Sequence, residues 1–225
     1  MKMKGILVPA MLLALVATSC MQAPKGDKVD TGDAFKITPY EHGQELKADV
    51  ALSKIDWLGT KPGGEHVGTL SIKEGSIFVD KGQIIGGKFT MDMNSIAVLD
   101  LQNPEMNAYL VNHLKSADFF NVDSFPQAYF EFSSIVPITH NHEEGEELVP
   151  THRIDGNLTI KGITKGISFN AKIKLDDGQL QASTPQFLIN RTNWKVNYGS
   201  QSIIANLKDN IIHDEMGVAV HLTAY

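Results

Sequence analysis

The chain has 225 residues, 20 Lys and Arg against 26 Asp and Glu, a formal net charge of −6, and 42% hydrophobic residues. This is a globular composition, long enough to bury a core, which excludes a disordered or fibrous chain. The acidic balance, with Arg153 and Arg191 as the only arginines, argues against a nucleic-acid backbone as partner, and the single cysteine, Cys20, excludes an intrachain disulfide framework, a Cys-rich zinc site and a CxxC redox pair.

The N-terminus reads as a secretory signal. Lys2 and Lys4 precede an apolar run from Ile6 to Val16, too short for a comfortable transmembrane span, and the small residues Ala17, Thr18 and Ser19 lead into Cys20. The run Leu15–Cys20 resembles a bacterial lipobox, in which the cysteine becomes the mature N-terminus and carries lipid. The bland alternative is an ordinary cleaved signal followed by an incidental thiol. Loss of residues 1–19 leaves 18 basic and 26 acidic residues, a net charge of −8. Met21 to Asp33 is rich in Gly, Lys and Asp and reads as a flexible tether. The expected organisation is a signal peptide over 1–19, a lipidated Cys20 and tether over 20–47, and one folded domain over 48–225.

From Ala48 onward the dominant period is two. Phe89, Met91 and Met93 bracket Thr90 and Asp92, and Phe130 and Phe132 bracket Glu131. Ile154, Leu158 and Ile160, then Ile167, Phe169, Ala171, Ile173 and Leu175, and finally Val218, Val220, Leu222 and Ala224, alternate with mainly polar partners. One apolar and one polar face is the mark of antiparallel sheet with a solvated side. Turn signals separate the runs at Gly59–Gly64, Glu74-Gly75, Gly86-Gly87, Gly162–Gly166 and Asp176-Asp177-Gly178, so a sandwich or a barrel is expected. Pro104 to Leu114 breaks the period. It sets Met106, Tyr109, Leu110, His113 and Leu114 at helical spacing behind Asn103, a plausible N-cap. Thr139 to Thr151 reads as a polar, acidic hairpin loop. Two phase slips, near Asn94-Ser95 and Thr192-Asn193, predict bulges that bend strands toward closure.

The ordered motifs resemble the YceI-like family. They are Ser53-Lys54-Ile55-Asp56-Trp57; His66-Val67-Gly68; Gly87 to Ile96; His113 to Phe120 with Phe125-Pro126; Gly156 to Thr164; and Asn190-Arg191-Thr192-Asn193-Trp194. The resemblance implies an all-β fold, a single antiparallel lipocalin-like barrel of about eight strands with one short helix. It also implies an apolar interior that takes a long isoprenoid lipid, or a quinone-like one, at the bacterial cell envelope. With a lipidated Cys20 the protein would be a membrane-anchored lipoprotein facing the periplasm or the outside.

The candidate site follows from parity. Phe89, Phe130, Phe132, Phe169 and Phe187 occupy the apolar side of their strands. Met91 adds adaptable surface, and Trp57 and Trp194 lie near the expected course of the lipid. An eight-stranded barrel can hold one ligand or fill itself, and the residues alone leave both open. Arg191 continues the parity of Phe187 and Ile189, which sets a cation inward or at a rim. It is the candidate headgroup contact, or else half of a structural ion pair with Asp118 or Asp92. Lys115 and Lys195 are lesser headgroup candidates. His113 reads as a core residue, and His140, His142 and His152 as an adventitious surface cluster; no metal site or cofactor is expected. No GxSxG, HExxH, P-loop or dinucleotide fingerprint appears, so the expectation is a binding protein and not an enzyme. A barrel enzyme acting on a lipid or quinone, and a filled-barrel stress or interaction protein, are the alternatives.

Overall fold

Strands with one apolar face must bury it, and here they do so by curling that face inward. The computed structural model describes residues 23–40, 42–139, 148–205 and 211–225. In chain order the elements are β1 (Asp27–Lys28), β2 (Thr31–Gly32), β3 (Gln44–Lys47), β4 (Lys54–Lys61), β5 (Gly64–Asp80), β6 (Gln83–Val98), α1 (Pro104–Lys115), β7 (Gln127–Pro137), β8 (His152–Ile160), β9 (Ile163–Asp176), β10 (Gln179–Ser183), β11 (Phe187–Asn190) and β12 (Glu215–Ala224). β4 to β10 pair with their chain neighbours. β10 then pairs with β12, and β12 pairs back onto β4, which closes an antiparallel barrel of eight strands. The expected all-β barrel with one helix is the fold observed.

Three hairpins turn where two successive residues take positive φ: Lys81-Gly82 at 50° and 77°, Lys161-Gly162 at 49° and 70°, and Asp177-Gly178 at 45° and 78°. Such paired left-handed residues match the right-handed strand twist. The Asp-Gly turn is where the sequence set it, whereas Lys81-Gly82 carried no signal that was read. Glu74-Gly75 and Gly86-Gly87 are not turns. They lie inside the long strands β5 and β6, and their glycines make room for aromatic rings. A Cβ at Gly86 would lie 2.1 Å from the ring of Tyr40, and one at Gly87 2.7 Å from that of Phe132.

One expected bulge is present. On β6, Met93 to Ile96 bulge out between the pairs Ser71↔Asp92 and Thr69↔Ala97. The other is replaced by a stop. Strand β11 ends at Asn190, and Arg191–Trp194 forms a turn of 3₁₀ helix closed by Lys195 at φ 57°. The Asn190 side chain accepts from Thr192 N, so the chain gains a local hydrogen bond where a bulge would have kept it in the sheet.

The expected tether is corrected from residue 27 onward. β1 pairs in parallel with β11, and β2 pairs with β9. Phe35 exchanges hydrogen bonds with the Asn157 side chain of β8. Thr38 N donates to Ser133 Oγ at a bulge of β7, and Tyr40 Oη donates to Phe132 O at 2.7 Å. β3 then pairs with β5, where Leu46 is 1% exposed. The segment thus crosses the barrel wall strand by strand as a belt. Aromatic berths explain why a Gly-, Lys- and Asp-rich chain binds at all: Tyr40 stacks on Phe78 at 4.4 Å over Gly86, and Phe35 lies over Gly166. Residues 1–22, including the expected signal and Cys20, lie outside the described residues, as do His140, His142 and Glu143–Glu147 of the acidic loop.

Candidate functional site

The barrel is hollow. Its lumen holds a cavity of about 640 Å³, within the range of small-molecule sites. Inward parity produces the lining: Ile167, Phe169, Ala171 and Ile173 from β9, Phe130 and Phe132 from β7, Val218, Val220 and Leu222 from β12. Four of the candidate rings form a ladder up one wall. Phe132 lies 6.0 Å from Phe130, Phe130 lies 5.5 Å from Phe169, and Phe169 stacks on Phe187 at 4.8 Å and 8°.

Missing side chains keep the lumen open. A Cβ at Gly75 would lie 2.3 Å from Phe89, one at Gly156 2.5 Å from Phe130, and one at Gly87 2.7 Å from Phe132. Each ring therefore lies against bare backbone of a neighbouring strand instead of meeting another ring across the axis. Ala128 and Ala171 keep the wall thin in the same way. The floor is closed by a buried cluster of Leu46, Ile72, Ile77, Leu180, Leu222 and Ala224.

The other end is the mouth. Helix α1 is fixed there by its N-cap, where the Asn103 side chain accepts from Glu105 N and Met106 N, and Pro104 takes the first helical position as expected. The Asn107 side chain ties the helix to Val98 O and Leu101 O. Met106, Leu110, His113 and Leu114 line the cavity, yet no residue of the helix is fully buried. His113 meets Phe119 and Tyr198 edge-on at 5.0 and 4.7 Å and lies 3.3 Å from Asp118. It is an aromatic-cluster residue at the mouth and not a core histidine bonded to backbone. His66 pairs with Asp100 at 2.8 Å, and His213 with Thr60 Oγ1 at 2.6 Å. Both histidines line the same end, with Lys61.

Trp57, Phe89, Met91, Phe130, Phe132, Phe169 and Phe187 all line the cavity. Trp194 does not. It is fully buried, packed in one cluster with Met91, Ile167, Phe187 and Ile189, and its Nε1 donates to Leu158 O at 3.1 Å. The 3₁₀ turn ends the alternation of β11 before Trp194 is reached. Arg191 reaches the cavity edge, but its Nε donates to His213 O at 3.1 Å, its Nη1 to Val196 O at 2.5 Å and its Nη2 to Ile212 O at 3.0 Å. The nearest acid is Asp214 at 3.8 Å, not Asp118 or Asp92. Burial pulls the guanidinium below its ordinary range, and Asp214 opposes that. Lys115 and Lys195 do not line the cavity. Tyr198 and His213 were missed because loop residues carry no periodicity that assigns them to a rim, and Lys61 because it ends β4 beside the Pro62-Gly63 turn. His152, from the sequence cluster, is bonded to Thr151 Oγ1 at 2.8 Å, and burial lowers its pKa.

Comparisons with known proteins agree with this architecture. "Protein YceI" from Salmonella arizonae and from Salmonella newport are each 34% identical over 106 residues, 47% of this chain and 48% of theirs. The chain thus spans about half the length of these curated relatives. Among solved structures, Burkholderia cenocepacia BcnA aligns with a TM-score of 0.57 at 22% identity, covering 79% of this chain and 99% of BcnA. A polyisoprenoid binding domain from Saccharophagus degradans, implicated in plant cell wall breakdown, aligns with a TM-score of 0.55 at 10% identity, over 81% and 98% of the two chains. The YceI-like domain family matches residues 46–224, from the last turn of the belt to the end of β12, and the chain belongs to that family.

Proposed function

We propose that this protein carries or sequesters a long-chain isoprenoid lipid at the bacterial cell envelope, with the tail in the barrel and the polar end at the mouth. The observation that carries the reading is the apolar lumen of about 640 Å³, closed at the floor and open beside α1. A filled barrel would have no such space. The likeness to a polyisoprenoid binding domain favours an isoprenoid over other apolar chains. Each buried CH₂ contributes roughly 0.8 kcal/mol, so the tail supplies the affinity and chain length need not be read closely. Real affinities stop near −18 to −21 kcal/mol, and ordering costs absorb the excess.

The polar end sets orientation. Because the donors of Arg191 serve backbone carbonyls, we assign headgroup contact to Lys61, His66, His113 and Tyr198 at the mouth, with Arg191 as the residue that holds the mouth's shape. An uncharged head, such as a quinone ring or an alcohol, suits that set. The role is binding, not catalysis. Cys20 is the proposed acylation site that ties the protein to the membrane.

Native mass spectrometry of protein purified without added lipid tests the reading. Co-purified mass that dissociates as an isoprenoid, or stoichiometric uptake of a polyprenol presented in detergent, is the expected result. A wild-type protein that neither retains nor takes up such a lipid overturns it.

A further inference from the structure

Besides Phe35, Tyr129 and Val136 on the outer wall, exposed apolar residues gather around the mouth and at the floor, and these two groups differ in what lies beneath them. At the floor, Val50 and Leu52 are exposed above the closed cluster of Leu46, Leu180 and Ala224. At the mouth, Leu99, Met106, Tyr109, Ile203 and Ile204 are 56%, 55%, 69%, 55% and 40% exposed. Met106 and Tyr109 belong to both surfaces, because they also line the cavity. Leu99 sits beside them: its N donates to Val67 O, and the Asn107 side chain binds the carbonyls of Val98 and Leu101 on either side of it. Ile203 and Ile204 belong to a loop whose base is closed at the same end by Ile212 N donating to Gly199 O at 2.7 Å, where Tyr198 and Ile212 line the cavity.

We infer that this rim docks on a lipid bilayer, so that the mouth opens directly into the acyl layer. The inference rests on the proposed function, and chemistry favours a bilayer over a protein partner. A long isoprenoid is dissolved in membrane, and every CH₂ that crosses water costs roughly 0.8 kcal/mol, which a mouth seated on the bilayer avoids. The rim is continuous with the cavity through α1, whose apolar stripe is left without a fully buried residue. Tyr109, Tyr198 and Lys61 supply amphipathic side chains of the kind that rest at a headgroup layer. Docking is through apolar contact, so it needs no anionic lipid, in keeping with the acidic chain.

The test uses residues 20–225, which contain every described element, with Cys20→Ser so that no acyl chain can be attached. The protein is floated with phosphatidylcholine vesicles, with and without phosphatidylglycerol. Leu99→Glu with Ile203→Glu changes two rim residues that do not line the cavity; Leu52→Glu changes an exposed residue at the floor. Docking predicts that the parent and Leu52→Glu float with both vesicle types, while the double variant loses partitioning by at least about tenfold. It also predicts that the double variant still takes up a polyprenol from detergent. If the parent takes up the polyprenol but does not float, docking is wrong and the binding function stands. If the parent floats and the rim charges abolish it, but no polyprenol is taken up, docking stands and the binding function falls. Equal losses in the rim and floor variants, or a parent that dimerises through the rim instead of floating, overturn the inference.

Discussion

Phe89 lies against Gly75 so closely that a Cβ on that glycine would sit 2.3 Å from its ring. The two residues are cross-strand partners of β5 and β6. The ring fills the space where a neighbouring side chain would stand, and the lumen in front of it stays free. Gly75→Val should therefore drive Phe89 inward or part the strands. The expected cost is about 1–3 kcal/mol of stability, typical of overpacking, with reduced polyprenol uptake. Thermal melting and uptake stoichiometry measure both, and unchanged values would mean that the wall yields freely.

Phe132 stands in the lumen beside Phe130 and is 4% exposed, so a larger ring there has only the cavity to enter. Phe132→Trp is expected to fold, to lose about 1–3 kcal/mol, and to retain less lipid than wild type. Wild-type lipid stoichiometry in this variant would argue that the tail runs elsewhere.

Period-two alternation made the lumen legible. From Ile167 to Ile173, and from Val218 to Leu222, the apolar parity reads straight onto the cavity wall. Parity fails where the strand ends. Arg191 and Trp194 both follow Phe187 and Ile189 in sequence, but the 3₁₀ turn breaks the alternation, and the indole and the guanidinium both end on backbone carbonyls. The belt was illegible for a different reason. Residues 27–40 bind through backbone pairing, hydrogen bonds to the side chains of Asn157 and Ser133, and two rings resting on glycines, none of which leaves a hydrophobic period. Gly75 and Gly86 looked like turns because composition does not distinguish a chain that bends from one that makes room for a ring.

Arg191→Leu separates a structural cation from a headgroup contact. The substitution strips donors from His213 O, Val196 O and Ile212 O and leaves Asp214 without its nearby cation. A loss of about 3–5 kcal/mol is expected, as for breaking a buried charged network. Arg191→Lys should recover only part of it, since an ammonium cannot span three carbonyls as a planar fork does. A melting temperature unchanged in delipidated protein, joined to a selective loss of affinity for anionic lipids, would instead return Arg191 to the headgroup.

Asp155 links three strands of the wall. Burial raises its pKa, but hydrogen bonds from Ser168 at 2.5 Å, Arg153 at 3.0 Å and Ser134 at 3.4 Å outweigh that and hold it below the ordinary carboxylate range. A depressed folded pKa contributes stability that is present above the unfolded value of about 3.9 and is lost as pH falls through the folded one. Asp155→Asn should lower stability at neutral pH and flatten the acid limb of the stability curve. Parallel curves for variant and wild type below about pH 4 would remove Asp155 from the account of acid unfolding.

The proposed acylation of Cys20 would have a geometric consequence that the belt makes sharp. Pairing of the chain with the barrel begins at Asp27, so six residues separate Cys20 from β1. At roughly 3.3–3.6 Å per extended residue, that span reaches no more than about 25 Å. A tether as long as residues 20–47 would let an anchored barrel drift far from the membrane; one this short would hold it near the surface, within reach of the bilayer for its mouth. Cys20→Ser is expected to move the protein from the membrane fraction to the soluble fraction of cells, because one stable anchor is lost and rim contacts alone are reversible. Inserting a Gly-Ser segment between Cys20 and Lys25 should leave fractionation unchanged but slow lipid delivery to vesicles, since the mouth then samples a larger volume. A Cys20→Ser protein that stays in the membrane fraction like wild type would show that the thiol is incidental and that another part of the chain does the anchoring.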